Sequence, residues 1–291
     1  MFSLKKILEV IFVIALVLFS FYYTEKAIVI LEANDPLMKQ IKATKSKNEE
    51  KAINAKINDN QLIPGYNGLE VNLEKSFRKM KSYGGYNESL LVFDEVSPTI
   101  SIEDYYDKYI SSGNGLTTNI ALVFAIYNSN YNYGNEIINI LKNTNTKATF
   151  FIDGIILDNN LEFVNNLLTN NNEVELLSYD NNYDQVLFEG ALGKLRAISN
   201  INPKYCYATY DNEEILNLCS KLSMHTIIPT LKLDSNIYIN AKGNIRSGSI
   251  ISISLTKNNI NEVAVLINYI KQRGFTLVTL DELLNEARYE K

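Results

Sequence analysis

The chain has 291 residues, among them no tryptophan, one histidine and two cysteines. The single histidine, His225, excludes any mechanism that needs a pair of imidazoles, and its place at the start of a predicted strand favours a structural role. The spacing of Cys206 and Cys219 fits neither a zinc knuckle nor a Cys-x-x-Cys redox pair, and two cysteines cannot form a disulfide framework. We therefore expect two inert, partly buried thiols.

Clustered positive charge is also scarce. The 28 Lys and Arg residues are outnumbered by 33 Asp and Glu residues, which gives a net charge of -5. Because nucleic-acid phosphates are bound by clustered Lys and Arg, this composition predicts no nucleic-acid partner. With 46% hydrophobic and 21% charged residues, the chain can bury one sizeable core and still carry a smaller appended region.

The longest apolar run covers residues 7–23 and contains one charge, Glu9. About 17 helical residues are short but sufficient to cross a bilayer core. The preceding lysines favour a cytoplasmic N-terminus, and the closing tyrosines suit the far interface. A cleaved signal peptide is the alternative, but no small-x-small cleavage site follows the run. We predict a cytoplasmic tail over residues 1–6, a single-pass anchor over 7–23, and a cell-membrane protein whose remaining chain is extracytoplasmic.

Two further regions precede the repetitive part of the chain. Residues 24–55 are charged, helix-compatible and poor in core residues, which predicts a stalk. Residues 56–117 contain turn signals such as Pro64-Gly65 and short strand-like or helical patches, which predict a cap or subdomain packed on the repetitive region.

From residue 118 to 291, apolar runs alternate with amphipathic ones. Repeated βα units predict a parallel sheet, and about seven of them predict an α/β fold of the deformed (β/α) barrel type, preceded by the transmembrane helix and the small appended region. The predicted strands cover residues 120–126, 148–152, 173–178, 205–209, 226–230, 249–255 and 276–280. The predicted helices cover residues 134–143, 161–168, 185–199, 213–222 and 261–273.

Four runs in this region carry a family resemblance by their order and spacing. They are Ala121-Leu-Val-Phe-Ala-Ile-Tyr-Asn128, Lys147-Ala-Thr-Phe-Phe-Ile-Asp-Gly154, Gly248-Ser-Ile-Ile251 and Arg273-Gly-Phe-Thr-Leu-Val-Thr-Leu280. Together they resemble the polysaccharide deacetylase (NodB homology) family over residues 118–284. The resemblance implies a barrel whose active site lies at the carboxyl ends of the strands.

The resemblance also locates the family's reactive positions, and none holds the family's residue. Ala125 stands where the catalytic Asp would be, Cys206 in the motif that supplies an arginine, and Ser254 where a histidine acts as general acid. The metal-binding Asp and two His are replaced by Ile126, Leu177 and Asn181, which offer at most one weak amide oxygen to a metal. These replacements predict no catalysis, no metal and no other cofactor.

Other residues could in principle rebuild a site. Asp153, Asp180, Asp184 and Asp211 lie near predicted strand ends, but scattered single carboxylates are usually loop caps rather than metal ligands. Cys206 has no imidazole nearby to lower its pKa, and Ser254 lacks a Gly-x-Ser-x-Gly elbow.

What the strand ends do offer is aromatic rings and amides. Flat rings with polar tips beside amide groups favour sugar binding or protein contact. The alternative is composition, because 19 tyrosines are spread through the chain. The candidate ligand-binding residues are Tyr127, Asn128, Tyr179, Asn181, Tyr207 and Tyr210.

These observations predict a membrane-anchored, extracytoplasmic, deacetylase-like pseudoenzyme whose partner is a cell-wall glycan or an envelope protein. Two alternatives remain: a divergent active hydrolase that removes N-acetyl groups from cell-wall polysaccharide, and a structural scaffold in envelope or spore assembly. One fold can host many different functions, which depend on the residues of the site, and the family's site residues are missing from this chain.

Overall fold

The computed structural model describes residues 11–22, 32–199 and 202–288. The chain divides into two compact units, the first formed by Met1–Lys51 and Gly68–Val96 and the second by Ala52–Asn67 and Ser97–Lys291. This division differs from the predicted stalk over 24–55 and cap over 56–117. Long-range pairing draws both segments into units that local sequence patterns do not separate.

The first unit has a core of its own. Its elements are helix α1 (Pro36–Asn48), helix α2 (Leu73–Tyr83) and the antiparallel strands β3 (Gly68–Val71) and β4 (Phe93–Val96). Asp35 caps α1 by accepting a hydrogen bond from the backbone N–H of Leu37, and Pro36 occupies the first helical turn, where its missing N–H costs nothing. Met38 and Ile41 of α1 pack with Phe77 and Met80 of α2. A segment predicted to be a stalk therefore contributes to a core.

The second unit contains most of the described strands and helices. Its strands are β1 (Lys56–Asn58), β2 (Gln61–Ile63), β5 (Tyr109–Ile110), β6 (Asn119–Ile126), β7 (Thr149–Asp153), β8 (Glu173–Ser178), β9 (Tyr205–Tyr207), β10 (His225–Ile227), β11 (Leu231–Leu233), β12 (Ile250–Ile253) and β13 (Thr276–Val278). Its helices are α3 (Tyr131–Asn143), α4 (Gly154–Asn159), α5 (Leu161–Thr169), α6 (Gln185–Ser199), α7 (Glu213–Lys221), α8 (Ile237–Ala241), α9 (Lys257–Gln272) and α10 (Leu280–Leu284).

Parallel pairing dominates this unit, so the predicted parallel α/β fold is confirmed. One sheet has the order β11-β12-β6-β7-β8 with β13 also paired to β6, and a second has the order β1-β2-β5-β10-β9. Only the β1–β2 hairpin of these sheets is antiparallel. β8 lies beside β9, and the two sheets meet there. Strands β5 and β11 are additions that their short sequences did not predict.

The pleat of the central strand divides the apolar side chains between two cores. In β6, Ile120, Leu122, Phe124 and Ile126 pack in an outer core, which also contains helix residues such as Leu266. The intervening Ala121 and Val123 pack in an inner core of residues on the opposite face of the strands. The sheet is thus covered on both faces, as parallel sheets require.

The two cysteines correct a prediction. Cys206 in β9 and Cys219 in α7 form a disulfide with a Cα–Cα distance of 6.4 Å, rather than two separate thiols. Both belong to the outer core, because the α7 helix folds back over the strand that precedes it. Spacing of 13 residues along the chain gave no sign of this contact.

Residues 11–22 are helical, and their apolar side chains are exposed, for example Phe12 at 65% and Phe21 at 66%. In the part of the chain that the structure describes, no helix is both long and apolar enough to span a membrane. The predicted anchor over 7–23 extends at each end outside the described residues, and the predicted tail over 1–6 lies wholly outside them.

Candidate functional site

Three strands, β6, β8 and β9, lead at their carboxyl ends into one small cavity of about 260 Å³. Its lining consists of four tyrosine rings and two asparagine amides, together with the hydroxyl side chain of Thr209 and the apolar side chain of Ile215. We call it the tyrosine cavity, and it is lined by Tyr127, Asn181, Tyr183, Tyr207, Thr209, Tyr210, Asn212 and Ile215.

Local hydrogen bonds place the residues at the edges of the tyrosine cavity. After β6, the side chain of Asn130 accepts from the N–H of Tyr127 at 2.8 Å and donates to the carbonyl of Ala125 at 3.2 Å, which closes a tight turn. After β9, Asn212 caps helix α7 by accepting from the N–H groups of Glu214 and Ile215. The two turns fix Tyr127 and Asn212 on the cavity.

Asp153 holds the loop after β8, which forms a third edge of the cavity. Its carboxylate is 2% exposed and accepts four hydrogen bonds: from the Ser178 hydroxyl at 2.5 Å and from the N–H groups of Ile155, Asp180 and Asn181 at 3.0, 2.9 and 3.1 Å. Asp180 and Asn181 have φ of 52° and 58°, a left-handed conformation that is costly outside glycine. The carboxylate therefore holds a strained loop that brings Asn181 to the cavity.

The space beneath the cavity is filled. The ring centroids of Phe151 and Tyr207 are 5.3 Å apart, and the Tyr207 hydroxyl is 2.7 Å from the Ser252 Oγ. Leu177, at a family metal position, is 1% exposed within the inner core, and Ala125 packs against that core. Apolar side chains thus stand where the resemblance places a metal ligand, at Leu177, and the catalytic base, at Ala125.

Two of the six family positions face away from the cavity. Ile126 and Cys206 both belong to the outer core, so the strand pleat directs them towards the helices. Ser254 lies near the end of β12, where its hydroxyl donates to the carboxylate of Asp234, and it does not line the cavity. Asn181 is the one family position that does.

The aspartates considered for a rebuilt metal site do not converge. Asp153 is committed to the loop, and Asp184 accepts from the N–H groups of Val186 and Leu187 at the start of α6. Across residues 11–22, 32–199 and 202–288, no three His, Cys, Asp or Glu side chains come together in a way that could hold a metal ion.

Three tyrosines of the cavity are neutral at physiological pH. Burial raises the pKa of Tyr183 to about 12, and it also raises the pKa of Tyr127 and of Tyr207. Neutral phenols both donate and accept hydrogen bonds, so the cavity offers hydroxyl, amide and ring-face contacts without a buried charge in its lining.

Of the six residues predicted to bind ligand, the cavity brings together Tyr127, Asn181, Tyr207 and Tyr210. Tyr179 is directed elsewhere: its hydroxyl donates to Asp158 at 3.0 Å, and its ring lies so close to Gly154 that a Cβ there would be 2.4 Å from it. Asn128 lies exposed in the turn after β6.

Thr209, Asn212 and Ile215 line the cavity without having been predicted. All three follow β9 closely: Thr209 and Asn212 lie in the same loop as Tyr210, and Ile215 lies in the first turn of α7. Tyr183 follows β8 among the other aromatic residues.

Comparison with known proteins identifies the class of fold. No protein-family model matches the chain. Solved structures of CE4 carbohydrate esterases and polysaccharide deacetylases do share its fold, so the predicted resemblance to the deacetylases is confirmed at the level of the fold.

Three particular proteins illustrate the likeness. The uncharacterized protein YlxY of Bacillus subtilis strain 168 is 26% identical over an alignment of 282 residues that covers 91% of this chain and 88% of YlxY. BA3943, a CE4 family pseudoenzyme from Bacillus anthracis, is 24% identical with a TM-score of 0.67, over 88% of this chain and 97% of BA3943. A BA3943 mutant with restored enzymatic activity aligns with a TM-score of 0.66. The Bc1960 peptidoglycan N-acetylglucosamine deacetylase is 20% identical with a TM-score of 0.56, over 66% of this chain and all of Bc1960.

Proposed function

We propose that the protein is a membrane-anchored, extracytoplasmic pseudoenzyme with a deacetylase-like barrel that binds a cell-wall glycan in the tyrosine cavity. The observation that carries the proposal is the replacement of the family's reactive residues at the carboxyl ends of the strands. Apolar residues stand at the position of the family's base and at two of its three metal-ligand positions, and neutral phenols and amides line the cavity.

The chemistry of the cavity suits a neutral sugar. Ring faces pack against the C–H faces of a pyranose, while phenol and amide groups meet its hydroxyl and N-acetyl groups in both donor and acceptor roles. BA3943 is a pseudoenzyme of the same fold, which supports loss of catalysis. Bc1960 acts on peptidoglycan N-acetylglucosamine, which supports a glycan of that class as the ligand.

The disulfide supports the proposed location. Disulfides form and persist in oxidising surroundings outside the cytoplasm. The chain would then be held by residues 7–23, with the barrel beyond the membrane. Reduced Cys206 and Cys219 in protein taken from its native source would contradict this placement.

Glycan binding can be tested at the rim of the cavity. Tyr210 is 71% exposed, so Tyr210→Ala removes a ring from the cavity with little effect on folding. We expect the variant to bind N-acetylglucosamine oligomers up to about tenfold more weakly than the native chain, because an aromatic contact contributes about 0.5–1.5 kcal/mol. Isothermal titration calorimetry measures the difference.

The matched control for this test is Tyr83→Ala, since Tyr83 is 67% exposed and lies in the first unit. It is expected to bind the oligomers as the native chain does. Equal affinities for all three proteins would remove the tyrosine cavity from the proposal. Capture of an envelope protein that Tyr210→Ala weakens, without any oligomer binding, would favour a protein partner instead.

Absence of deacetylation is the second test. A catalytic zinc needs protein ligands and an open position for water, whose pKa it lowers, and the residues at the family positions supply at most one weak amide oxygen and no base. We expect the full chain to hold far less than one zinc per molecule and to release no acetate from N-acetylglucosamine oligomers or peptidoglycan. Bc1960 serves as the positive control. Acetate release that a chelator abolishes would establish the divergent hydrolase.

A further inference from the structure

A second cavity, of about 410 Å³, lies near the amino ends of β9 and β10. This volume falls in the lower part of the ~300–1,000 Å³ range of small-molecule pockets. We call it the histidine cavity. It is lined by Asn67, Ser97, Ser101, Ile102, Glu103, Tyr106, Asn202, Lys204, Tyr205, Ser223, His225, Asp281, Leu284, Asn285, Glu286 and Ala287.

The imidazole of His225 is the unexplained feature of this cavity. The residue is 3% exposed, and neither Nδ1 nor Nε2 has a hydrogen-bond partner. Within the described residues, the only other buried side-chain nitrogen or oxygen without a partner is the hydroxyl of Thr226, the next residue. Buried polar groups are nearly always paired, so two open ring nitrogens mark a place for a bound molecule.

The protonation state of His225 defines what it can bind. Burial lowers the pKa of the imidazole to about 4, so the ring is neutral at physiological pH. A neutral imidazole has one N–H donor and one acceptor nitrogen. A hydroxyl group can serve either nitrogen, because it both donates and accepts. Two hydroxyls on one ligand would therefore satisfy the ring in either tautomer.

The rest of the lining adds aromatic faces and negative charge. The Tyr106 and Tyr205 rings lie 4.5 and 6.4 Å from the His225 ring, centroid to centroid. Three carboxylates line the cavity, from Glu103, Asp281 and Glu286, against one ammonium, from Lys204. Lys204 is paired with Asp281 at 2.6 Å. The excess of carboxylate favours a cation.

We propose that the histidine cavity binds a small polyhydroxylated cation of the amino-sugar class, whose hydroxyls bond both nitrogens of His225. Its ammonium group lies towards Glu103, while Glu286, whose carboxylate already accepts hydrogen bonds from Gly65, Ser101 and Ile102, adds negative charge to the lining. The Tyr106 ring, which covers the imidazole and is held by a hydrogen bond from its hydroxyl to Glu103 at 2.7 Å, moves aside when the ligand enters. The site is separate from the tyrosine cavity, with which it shares no residue.

The single histidine makes the test direct. In the full chain labelled with ¹⁵N, the imidazole signals belong to His225 without further assignment. Titration with glucosamine is expected to shift both ring-nitrogen resonances in a saturable way. N-acetylglucosamine, which lacks the positive charge, is expected to bind at least tenfold more weakly. Glu103→Gln, which keeps the size of the side chain but removes its charge, is expected to weaken glucosamine binding about tenfold.

Two variants separate this site from the rest of the molecule. His225→Phe keeps a ring beside Tyr106 and should abolish glucosamine binding in calorimetry, whereas Tyr83→Ala, at an exposed residue of the first unit that lines neither cavity, should leave it unchanged. Ring-nitrogen resonances that do not move with glucosamine would overturn the proposal and leave water as the partner of the imidazole. Equal binding of both sugars, or unchanged binding by Glu103→Gln, would overturn it as well.

Discussion

Replacing Asp153 with alanine is expected to lower the free energy of unfolding by about 2.5–4 kcal/mol. Loss of the N-cap of α4 costs about 1 kcal/mol, and loss of charge-assisted hydrogen bonds to the loop adds roughly 1.5–3 kcal/mol. The N–H groups of Asp180 and Asn181, held in left-handed conformations, lose their acceptor. Urea unfolding of the full chain, followed by tyrosine fluorescence, measures the change.

Asp184→Ala is the matched control. Asp184 also caps a helix, α6, but its side chain is exposed and bonds only the first N–H groups of that helix. We expect a loss of about 1 kcal/mol, as for an ordinary cap. Similar losses for the two variants would show that Asp153 is only a helix cap and does not hold the 178–181 loop.

The Asp153 variant also links stability to the proposed site. Asn181 reaches the tyrosine cavity because its backbone is tied to Asp153, so release of the loop should weaken glycan binding in whatever fraction of the protein stays folded. A variant that loses stability but keeps full affinity would exclude Asn181 from the ligand contacts.

Strands β6 to β10, β12 and β13 of the second unit were predictable because their signal is local. In β6, apolar side chains on both faces give an uninterrupted run, which is typical of a parallel strand covered on both sides. Helices α6 and α9 likewise present apolar stripes at helical spacing, so their existence follows from periodicity alone. Short elements such as β11 and α8 carry too few residues to show either pattern.

The direction of side chains at strand ends was not predictable, because it depends on the phase of the pleat. Ile126 and Cys206 stand one residue from inward-facing neighbours, and a shift of one residue moves a side chain to the other face. The irregular register between Ile152 and Asp153 on β7 changes that phase at the residue that holds the 178–181 loop. No count along the sequence reveals such a shift.

Contacts between distant segments were also beyond the sequence. Tyr179 looked equivalent to Tyr127 as an aromatic residue after a strand, yet its ring settles on Gly154 and its hydroxyl bonds Asp158. The direction of the Tyr179 side chain is therefore set by tertiary packing. The exchange of segments between the two units, with residues 52–67 in the second and 68–96 in the first, has the same origin.

The disulfide is the clearest case of an unpredicted contact with a functional consequence. The loop that it closes, residues 206–219, carries five of the eight residues that line the tyrosine cavity. These are Tyr207, Thr209, Tyr210, Asn212 and Ile215. A crosslink at the base of this loop restricts the positions that its side chains can take.

Removing the disulfide by the double substitution Cys206→Ala and Cys219→Ala is expected to lower the free energy of unfolding by about 3 kcal/mol, since closing a loop of this size contributes roughly 2–4 kcal/mol. Affinity for N-acetylglucosamine oligomers is expected to fall as well, because the loop must be ordered when the glycan binds. Urea unfolding and calorimetry measure the two effects.

Reduction provides the internal control for this variant. Dithiothreitol should reproduce both losses in the native chain and leave the alanine variant unaffected, because only the native chain has a bond to break. If the native chain keeps its affinity when fully reduced, the loop is ordered by its packing on the strands and the disulfide contributes stability alone. If neither property changes on reduction, the sulfurs are not bonded in solution, and Cys206 and Cys219 are two buried thiols, as their spacing in the sequence predicts.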